Sequence, residues 1–138
     1  MINEKLINPD SIVVVGGSDD LFKPGGKVLK NIIDGNYAGK LYVVNPKQDK
    51  IQGVKSYRDL NDIPNTDLAI LAISAPLCLK AVEILVTEKK TKAFIIISAG
   101  FSESGEEGLK LEKQIVEIID SAGVRLLSAC KSIGDGFL

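Results

Sequence analysis

Apolar residues in this chain occur in short continuous runs, each bounded by glycine, proline or polar residues. Residues 11–15, 68–73 and 93–97 are the most apolar of these runs and are rich in valine, isoleucine and leucine. Runs of this length and composition are typical of parallel strands that are buried on both faces. Residues 41–44 are a shorter run of the same kind, and residues 124–127, which include Arg125, begin a fifth strand. The pattern therefore predicts five strands.

Between the strands, apolar residues recur at a spacing of three or four, as expected of helices that pack on a sheet. The first predicted helix opens at residues 23–26 and ends at Gly35 and Asn36, because proline suits a first turn and glycine a helix end. A second helix has Pro76 in its first turn, and a third ends at Gly123. The three apolar stripes comprise Val28, Leu29, Ile32 and Ile33; Leu79, Val82, Leu85 and Val86; and Leu111, Ile115, Ile118, Ile119 and Ala122.

The alternation of strands and helices predicts an α/β fold with one doubly wound parallel sheet, because parallel neighbours need right-handed crossover connections. A shorter helix is predicted at residues 56–60. We expect the strand order 3-2-1-4-5, numbered along the chain, with helices on both faces. The switch point then lies between strands one and four, beside Gly17 and Ser98. Residues 1–127 would form this Rossmann-like domain, and residues 128–138 a loose carboxyl-terminal tail.

The composition narrows the class of protein. At 138 residues the chain is long enough for one domain with one core. Its formal net charge is −1, so no strong field attracts it to nucleic acid or to an anionic membrane. The amino terminus lacks the apolar core of a signal peptide, and no apolar run is long enough to span a bilayer. These features predict a cytoplasmic protein.

The residue types present also limit the chemistry. The chain contains no histidine, which removes the commonest general base and the usual nitrogen ligand for metals. Cys78 and Cys130 are widely spaced and give neither a disulfide framework nor a metal-site pattern. We therefore predict no catalytic residue and no metal site in this chain.

Ligands of open α/β sheets bind outside the carboxyl ends of the strands, near the switch point. Four segments follow predicted strands, namely residues 16–26, 45–47, 74–76 and 98–103. Because the carboxyl ends of parallel strands meet at one edge, we expect all four segments to lie on the same rim of the sheet.

A glycine-rich turn follows the first strand. Gly16, Gly17 and Ser18 are followed by an insertion, after which Gly25 and Gly26 begin the helix. Glycines allow a backbone to approach a pyrophosphate closely, and a helix N-terminus offers N–H groups and partial positive charge. The turn therefore predicts a phosphate site. The alternative is that these glycines serve only a tight strand-to-helix turn.

The second strand runs directly into Asn45, Pro46 and Lys47. Domains that bind NAD usually have an acidic residue at this place, which accepts a hydrogen bond from a ribose hydroxyl. A lysine instead favours a nucleotide with an extra ribose phosphate, either NADP or the 3′-phosphorylated ADP of coenzyme A (CoA). The alternative is a solvated surface lysine with no ligand.

Six segments together resemble a known family, and the pair "VNPK" at residues 44–47 and "SAGFSE.G" at residues 98–105 is the most specific. The segments are residues 11–18, 25–29, 39–47, 67–70, 74–76 and 98–105. Their order and spacing are similar to those of the amino-terminal CoA-binding domain of the NDP-forming acyl-CoA synthetases. That family includes ADP-forming acetyl-CoA synthetase and the α-subunit of succinyl-CoA synthetase. The resemblance covers roughly residues 8–127.

The resemblance implies CoA as the cofactor and a role for each loop. The loop after the first strand would line the CoA phosphates, and Lys47 would hold the phosphate on the ribose. The loops after the third and fourth strands would flank the adenosine and the pantetheine. The full set of expected CoA-binding residues is Gly16, Gly17, Ser18, Asp19, Gly25, Gly26, Asn45, Pro46, Lys47, Ser74, Ala75, Pro76, Ser98, Ala99 and Gly100.

In that family an acyl phosphate forms first, a histidine in a following domain takes the phosphoryl group, and the CoA thiolate captures the acyl group. No histidine is present here, and Leu-Ser-Ala-Cys-Lys-Ser at residues 127–132 replaces the family's Gly-Pro-Asn-Cys. We therefore expect a CoA-binding module of an acid–thiol ligase that is inactive alone. Its partners would be synthetase domains, or a subunit, with the phosphohistidine and ATP-grasp regions. An NADP-binding fragment of a reductase and a nucleotide-sensing regulatory module are the alternatives.

Overall fold

The computed structural model describes residues 10–97 and 106–130 of the chain. The strands are β1 Ser11–Val15, β2 Lys40–Val44, β3 Lys50–Ile51, β4 Val54–Tyr57, β5 Leu68–Leu71, β6 Ala93–Ile97 and β7 Arg125–Cys130. They form one seven-stranded sheet with the order β3-β4-β2-β1-β5-β6-β7. All neighbouring strands are parallel except β3 and β4, which form an antiparallel hairpin.

Within the described residues, three α-helices connect the strands: α1 Pro24–Asp34, α2 Ala75–Glu88 and α3 Glu106–Ser121. The stop signals that the sequence predicts are confirmed, since Asn36 and Gly123 follow α1 and α3 with φ values of 54° and 71°. Proline stands in the first turn of both α1 and α2. Within the described segments, no helix combines the length and the apolar character needed to cross a membrane.

Helices cover both faces of the sheet, because successive residues of β1 point to opposite sides. Val14 packs in one buried cluster with Leu29 of α1. Val13 packs in a second cluster with Val82 of α2 and Ile115 of α3. Helix α1 therefore covers one face and α2 and α3 cover the other, which confirms the doubly wound α/β class.

The predicted strand order misplaces the third predicted strand. The position beside β2 is occupied by β4, whose Ser56 and Tyr57 pair in parallel with Val43 and Val44. The apolar run that begins at Leu68 forms β5 and lies next to β1 in the middle of the sheet. All four residues of β5 are buried, and a central place with helices on both faces provides that burial.

The corrected order moves the switch point. It lies between β1 and β5, where the connections turn to opposite faces of the sheet. Gly17 lies beside this point, as predicted, but the loop next to it is the one after β5 that contains Ser74. Ser98, the other residue predicted there, follows β6 and lies outside the described residues.

Residues 56–60 do not form the short helix that the sequence predicts. Ser56 lies inside β4 and is 5% exposed. A one-turn 3₁₀-helix follows at Leu60–Asp62, and it is capped by Asp59, whose carboxylate accepts a 2.9 Å hydrogen bond from the N–H of Asn61. Pairing with β2 outweighs the local helix signal, because the ladder satisfies backbone N–H and C=O groups of this segment.

The last described strand is longer than predicted. Strand β7 continues past Leu127 to Cys130, and residues Ser128, Ala129 and Cys130 pair with the second half of β6. The register shifts at Phe94 and Ile95, which marks a β-bulge or irregularity. Ladder pairing with a fully buried β6 therefore extends the strand into a segment that the sequence assigns to the tail.

Candidate functional site

The carboxyl ends of the central strands meet at one rim of the sheet. The N–H of Gly16 donates a 2.9 Å hydrogen bond to the carbonyl of Val44, and the N–H of Ala72 donates a 2.8 Å bond to the carbonyl of Val15. The exits of β1, β2 and β5 are therefore joined backbone to backbone. We call this edge, with the segments 16–26, 45–52 and 72–76, the carboxyl rim.

Gly16 makes the turn out of β1 possible. Its φ is +91°, and a Cβ at this position would overlap the carbonyl oxygen of Ala72. Farther along, the hydroxyl of Ser18 accepts a 3.0 Å hydrogen bond from the N–H of Asp20, whose carboxylate accepts a 2.9 Å bond from the N–H of Phe22. These local bonds fold the insertion into a defined turn that leads into α1.

Gly25 and Gly26 let the first turn of α1 rest on the loop that precedes it. A Cβ on Gly25 would overlap the carbonyl oxygen of Gly16, and a Cβ on Gly26 would overlap that of Asp20. Because backbone atoms stand in the way, no side chain fits at either position. The close contact of loop and helix depends on both glycines.

Gly17 is required for a different reason. A Cβ built on it would lie 2.6 Å from Cγ1 of Val43, a fully buried residue of β2. Gly17 itself is buried. The space beside Gly17 therefore belongs to the core, and its lack of a side chain serves packing between the loop and the sheet.

Several backbone donors of this loop are unused. The N–H groups of Ser18, Asp19 and Gly25 have no acceptor among the described residues. The first turn of α1 contains no acidic residue, and the exposed side chains of Lys23 and Lys27 flank it. Unused N–H groups beside a helix N-terminus and two lysines favour an anion such as a phosphate.

Asn45 connects the loop after β2 with the loop after β1. Its side-chain Nδ2 donates a 3.0 Å hydrogen bond to the carbonyl of Gly17, and its Oδ1 accepts a 2.8 Å bond from the N–H of Lys47. Pro46 and Lys47 are exposed. The backbone of Lys47 is thus held in a turn, while its side chain is exposed.

The positive charge of Lys47 has no ion-pair partner among the described residues, in contrast to Arg58. The Nε of Arg58 lies 2.7 Å from Oδ1 of Asp49. The hydrogen bond and then the charge of Arg58 hold the pKa of Asp49 below its ordinary value. Lys47 is therefore better placed than Arg58 to meet an added phosphate.

The loop after β5 offers the rim mainly backbone groups and two exposed residues. Ser74 is exposed and caps α2 without a side-chain hydrogen bond, and its carbonyl accepts a 3.0 Å bond from the N–H of Cys78. Ala75 is 3% exposed and packs in the core, whereas Pro76 is exposed. Ser98, Ala99 and Gly100, the remaining predicted site residues, lie outside the described residues.

The sequence analysis missed the hairpin of β3 and β4, which lies against the glycine loop. The carboxylate of Asp19 accepts hydrogen bonds from the N–H of Gln52 at 2.7 Å and from Nε2 of Gln48 at 3.2 Å. Nε2 of Gln52 also donates to the carbonyls of Ser18 and Gly26. The sequence signal is Gln52-Gly53, a turn pair at the tip of two short strands.

Among the side chains that the structure describes within residues 10–97 and 106–130, no three His, Cys, Asp or Glu are grouped as ligands for a metal ion.

A comparison with known sequences identifies the family of this chain. The sequence profile described as the CoA binding domain matches residues 10–134. The chain belongs to the CoA-binding domain family. The match includes every described segment of the carboxyl rim.

Relatives of this CoA-binding domain are larger proteins. The α-subunit of ADP-forming acetate–CoA ligase II of Pyrococcus furiosus is 41% identical over 121 residues, which are 87% of this chain and 26% of the relative. ADP-forming acetate–CoA ligase I of Archaeoglobus fulgidus is 41% identical over 125 residues, 90% of this chain and 18% of the relative. The domain thus spans about a quarter or less of these two proteins.

A solved structure has the same fold. The dinucleotide-forming acetyl-coenzyme A synthetase 1 of Ca. Korarchaeum cryptofilum, in complex with phosphate and ADP, superposes with a TM-score of 0.79 at 34% identity. The superposition covers 90% of this CoA-binding domain and 26% of the synthetase chain. The domain is therefore similar in sequence and structure to one part of an acetyl-CoA synthetase.

Proposed function

We propose that this domain binds CoA at the carboxyl rim, with the diphosphate at the start of α1. The observation that carries the proposal is the set of unused N–H groups of Ser18, Asp19 and Gly25 beside a helix N-terminus without acidic residues. Such a site suits a diphosphate, because several N–H donors and the helix dipole act on the same negative charge. The family match supports CoA as the diphosphate ligand.

Lys47 is the residue that would meet the 3′-phosphate of the ribose. Its backbone is fixed by Asn45, which in turn is bonded to the glycine loop. A ligand whose diphosphate lies at α1 would extend its ribose toward the exit of β2, as nucleotides do in related folds. The charge on Lys47 then acts on a group that distinguishes CoA from dephospho-CoA.

Asp19 would contribute its N–H group to the phosphates, since its carboxylate is bonded to the hairpin. The exposed Ser74 and Pro76, with the residues 98–100 after β6, would flank the adenosine and the pantetheine. Ala75 would act through its backbone, because its side chain is buried in the core. Each of these assignments concerns one loop and can be tested separately.

We further propose that the domain supplies CoA to an acyl-CoA synthetase and is not active alone. The chain has no histidine to carry a phosphoryl group, and its relatives named above are several times longer. The acid activation and phosphoryl transfer would then reside in other domains or in a partner subunit. The bound CoA would present its thiol to the acyl group that these parts activate.

Isothermal titration of the purified chain with CoA, dephospho-CoA, NADP and NAD tests the binding proposal. We expect CoA to bind tightest, about five- to tenfold more tightly than dephospho-CoA, since one partly exposed charge pair contributes about 1 kcal/mol. The alternative of an NADP-binding reductase fragment predicts that NADP binds more tightly than CoA. That result, or the absence of CoA binding to the folded chain, would overturn the proposal.

A further inference from the structure

Gln52 occupies an unfavourable backbone conformation at the tip of the β3–β4 hairpin. Its φ is +47° and that of Gly53 is +82°. Two successive positive φ values characterise a tight hairpin turn in which Asn-Gly is the preferred pair. A non-glycine residue with positive φ stores strain, and glutamine is less suited to it than asparagine. The hairpin alone does not account for glutamine at this position.

The side chain of Gln52 bonds to both ends of the glycine loop. Its Nε2 donates to the carbonyl of Ser18 at 2.8 Å and to the carbonyl of Gly26 at 3.0 Å. Its own N–H donates to Oδ1 of Asp19 at 2.7 Å. One residue of the hairpin thus connects the start of the loop to the first turn of α1.

We propose that Gln52 is a positioning residue that holds the phosphate-binding loop in its binding conformation before the ligand arrives. This inference rests on the proposed CoA site. The N–H groups of Ser18, Asp19 and Gly25 lie within the segment that Gln52 spans. When a site is ordered in advance, the ligand does not bear the entropic cost of ordering it, and affinity rises.

The variant Gln52→Asn separates this role from a structural one. Asparagine suits the turn at least as well, which offsets part of the stability lost with the two side-chain hydrogen bonds, so the free energy of unfolding should fall only slightly. Its side chain is one methylene shorter and does not reach both carbonyls. We expect the Kd for CoA to rise about tenfold, equivalent to about 1.4 kcal/mol. Gln114→Asn, on the exposed face of α3, is the matched control and should change neither quantity.

A double-mutant cycle tests whether Asp19 and Gln52 hold the loop through one shared set of contacts. Asp19→Ala removes the acceptor for the N–H of Gln52, so both single variants should weaken CoA binding. If they act through these shared contacts, the Kd of the double variant should rise by less than the product of the fold-changes of the two single variants. If the two fold-changes in Kd simply multiply, Asp19 and Gln52 do not act together.

Hydrogen exchange on the ligand-free chain distinguishes failure of this inference from failure of the CoA assignment. In Gln52→Asn, the hydrogen-bonded loop amides of Asp20, Phe22 and Lys23 should exchange about fivefold faster while those of β6 remain unchanged. If the wild-type chain does not bind CoA, the proposed function fails. The exchange of the loop amides then tests by itself whether Gln52 holds the loop. Unchanged loop exchange, or a loss of CoA affinity that merely parallels a loss of stability, would overturn the positioning role.

Discussion

The side-chain amide of Asn45 donates a 3.0 Å hydrogen bond to the carbonyl oxygen of Gly17, and this bond joins the exits of β2 and β1. It is partly buried. The same side chain accepts a bond from the N–H of Lys47. The loop proposed to hold the diphosphate and the lysine proposed to hold the ribose phosphate are therefore fixed relative to each other by one residue.

We predict that Asn45→Ala lowers the free energy of unfolding by about 1–2 kcal/mol, because two hydrogen bonds are lost at a net value of about 1 kcal/mol each. Asn45→Asp keeps the acceptor for Lys47 but loses the donor to Gly17, and it should also be destabilised. Urea denaturation measures both, with the exposed Asn65→Ala as control. Wild-type stability in Asn45→Asp would show that the bond to Gly17 contributes nothing.

Replacement of Lys47 by alanine should weaken CoA binding about five- to tenfold and leave dephospho-CoA binding nearly unchanged. The expected loss reflects one partly exposed charge pair of about 1 kcal/mol. Lys47→Glu should weaken CoA further, because a carboxylate would repel the phosphate. Calorimetry with both ligands measures the difference, and Lys113→Ala on α3 is the control. An equal effect on both ligands would make Lys47 an ordinary surface lysine.

Gly25→Ala should destabilise the fold by about 1–3 kcal/mol, the usual cost of forcing an extra carbon into a packed site. The added Cβ would overlap the carbonyl oxygen of Gly16, so the loop and α1 would have to move apart. Gly35→Ala is the matched control, since Gly35 has a φ of −78° and the nearest atom to a Cβ there lies at 3.2 Å. Thermal denaturation compares the two, and equal stabilities would contradict the close contact.

Asp59 should make the fold sensitive to acid. Bonds from the backbone and then the side chain of Asn61, with smaller effects of Lys80 and Lys89, lower its pKa from an ordinary value of 3.8. A carboxyl group with a lowered folded pKa stabilises the fold above pH 3.8, and this stabilisation is lost as the pH falls through the folded pKa.

The variant Asp59→Asn keeps an oxygen that can accept from the N–H of Asn61 but does not titrate. As the pH falls below about 4, its stability should fall less steeply than that of the wild type. The pKa of Asp49 is also lowered, so the free energy of unfolding of both proteins keeps some dependence on pH. Urea denaturation at several pH values gives the slopes, and Asp120→Asn is the control. Identical slopes for Asp59→Asn and wild type would contradict the prediction.

Elements with strong local signals could be predicted from the sequence. The five apolar residues of β6 form a strand with the predicted bounds, and α1 begins at Pro24 and ends at Asp34, just before the predicted stop at Gly35 and Asn36. A continuous apolar run, a proline and a glycine act on their own neighbourhood, so their effects do not depend on distant parts of the chain. The loops at the rim could be predicted too, because they follow the ends of these predicted strands.

The tertiary structure alone decided the strand order and the way in which the site is held together. Strand β4 has little apolar character of its own and forms because β2 offers a ladder beside it. Position 17 requires glycine because Val43 fills the space where a Cβ would lie. The carboxylate of Asp19 faces the hairpin because it accepts a hydrogen bond from the N–H of Gln52. These contacts join residues that are far apart in sequence. A local pattern carries no information about them, whereas the packed sheet brings them together.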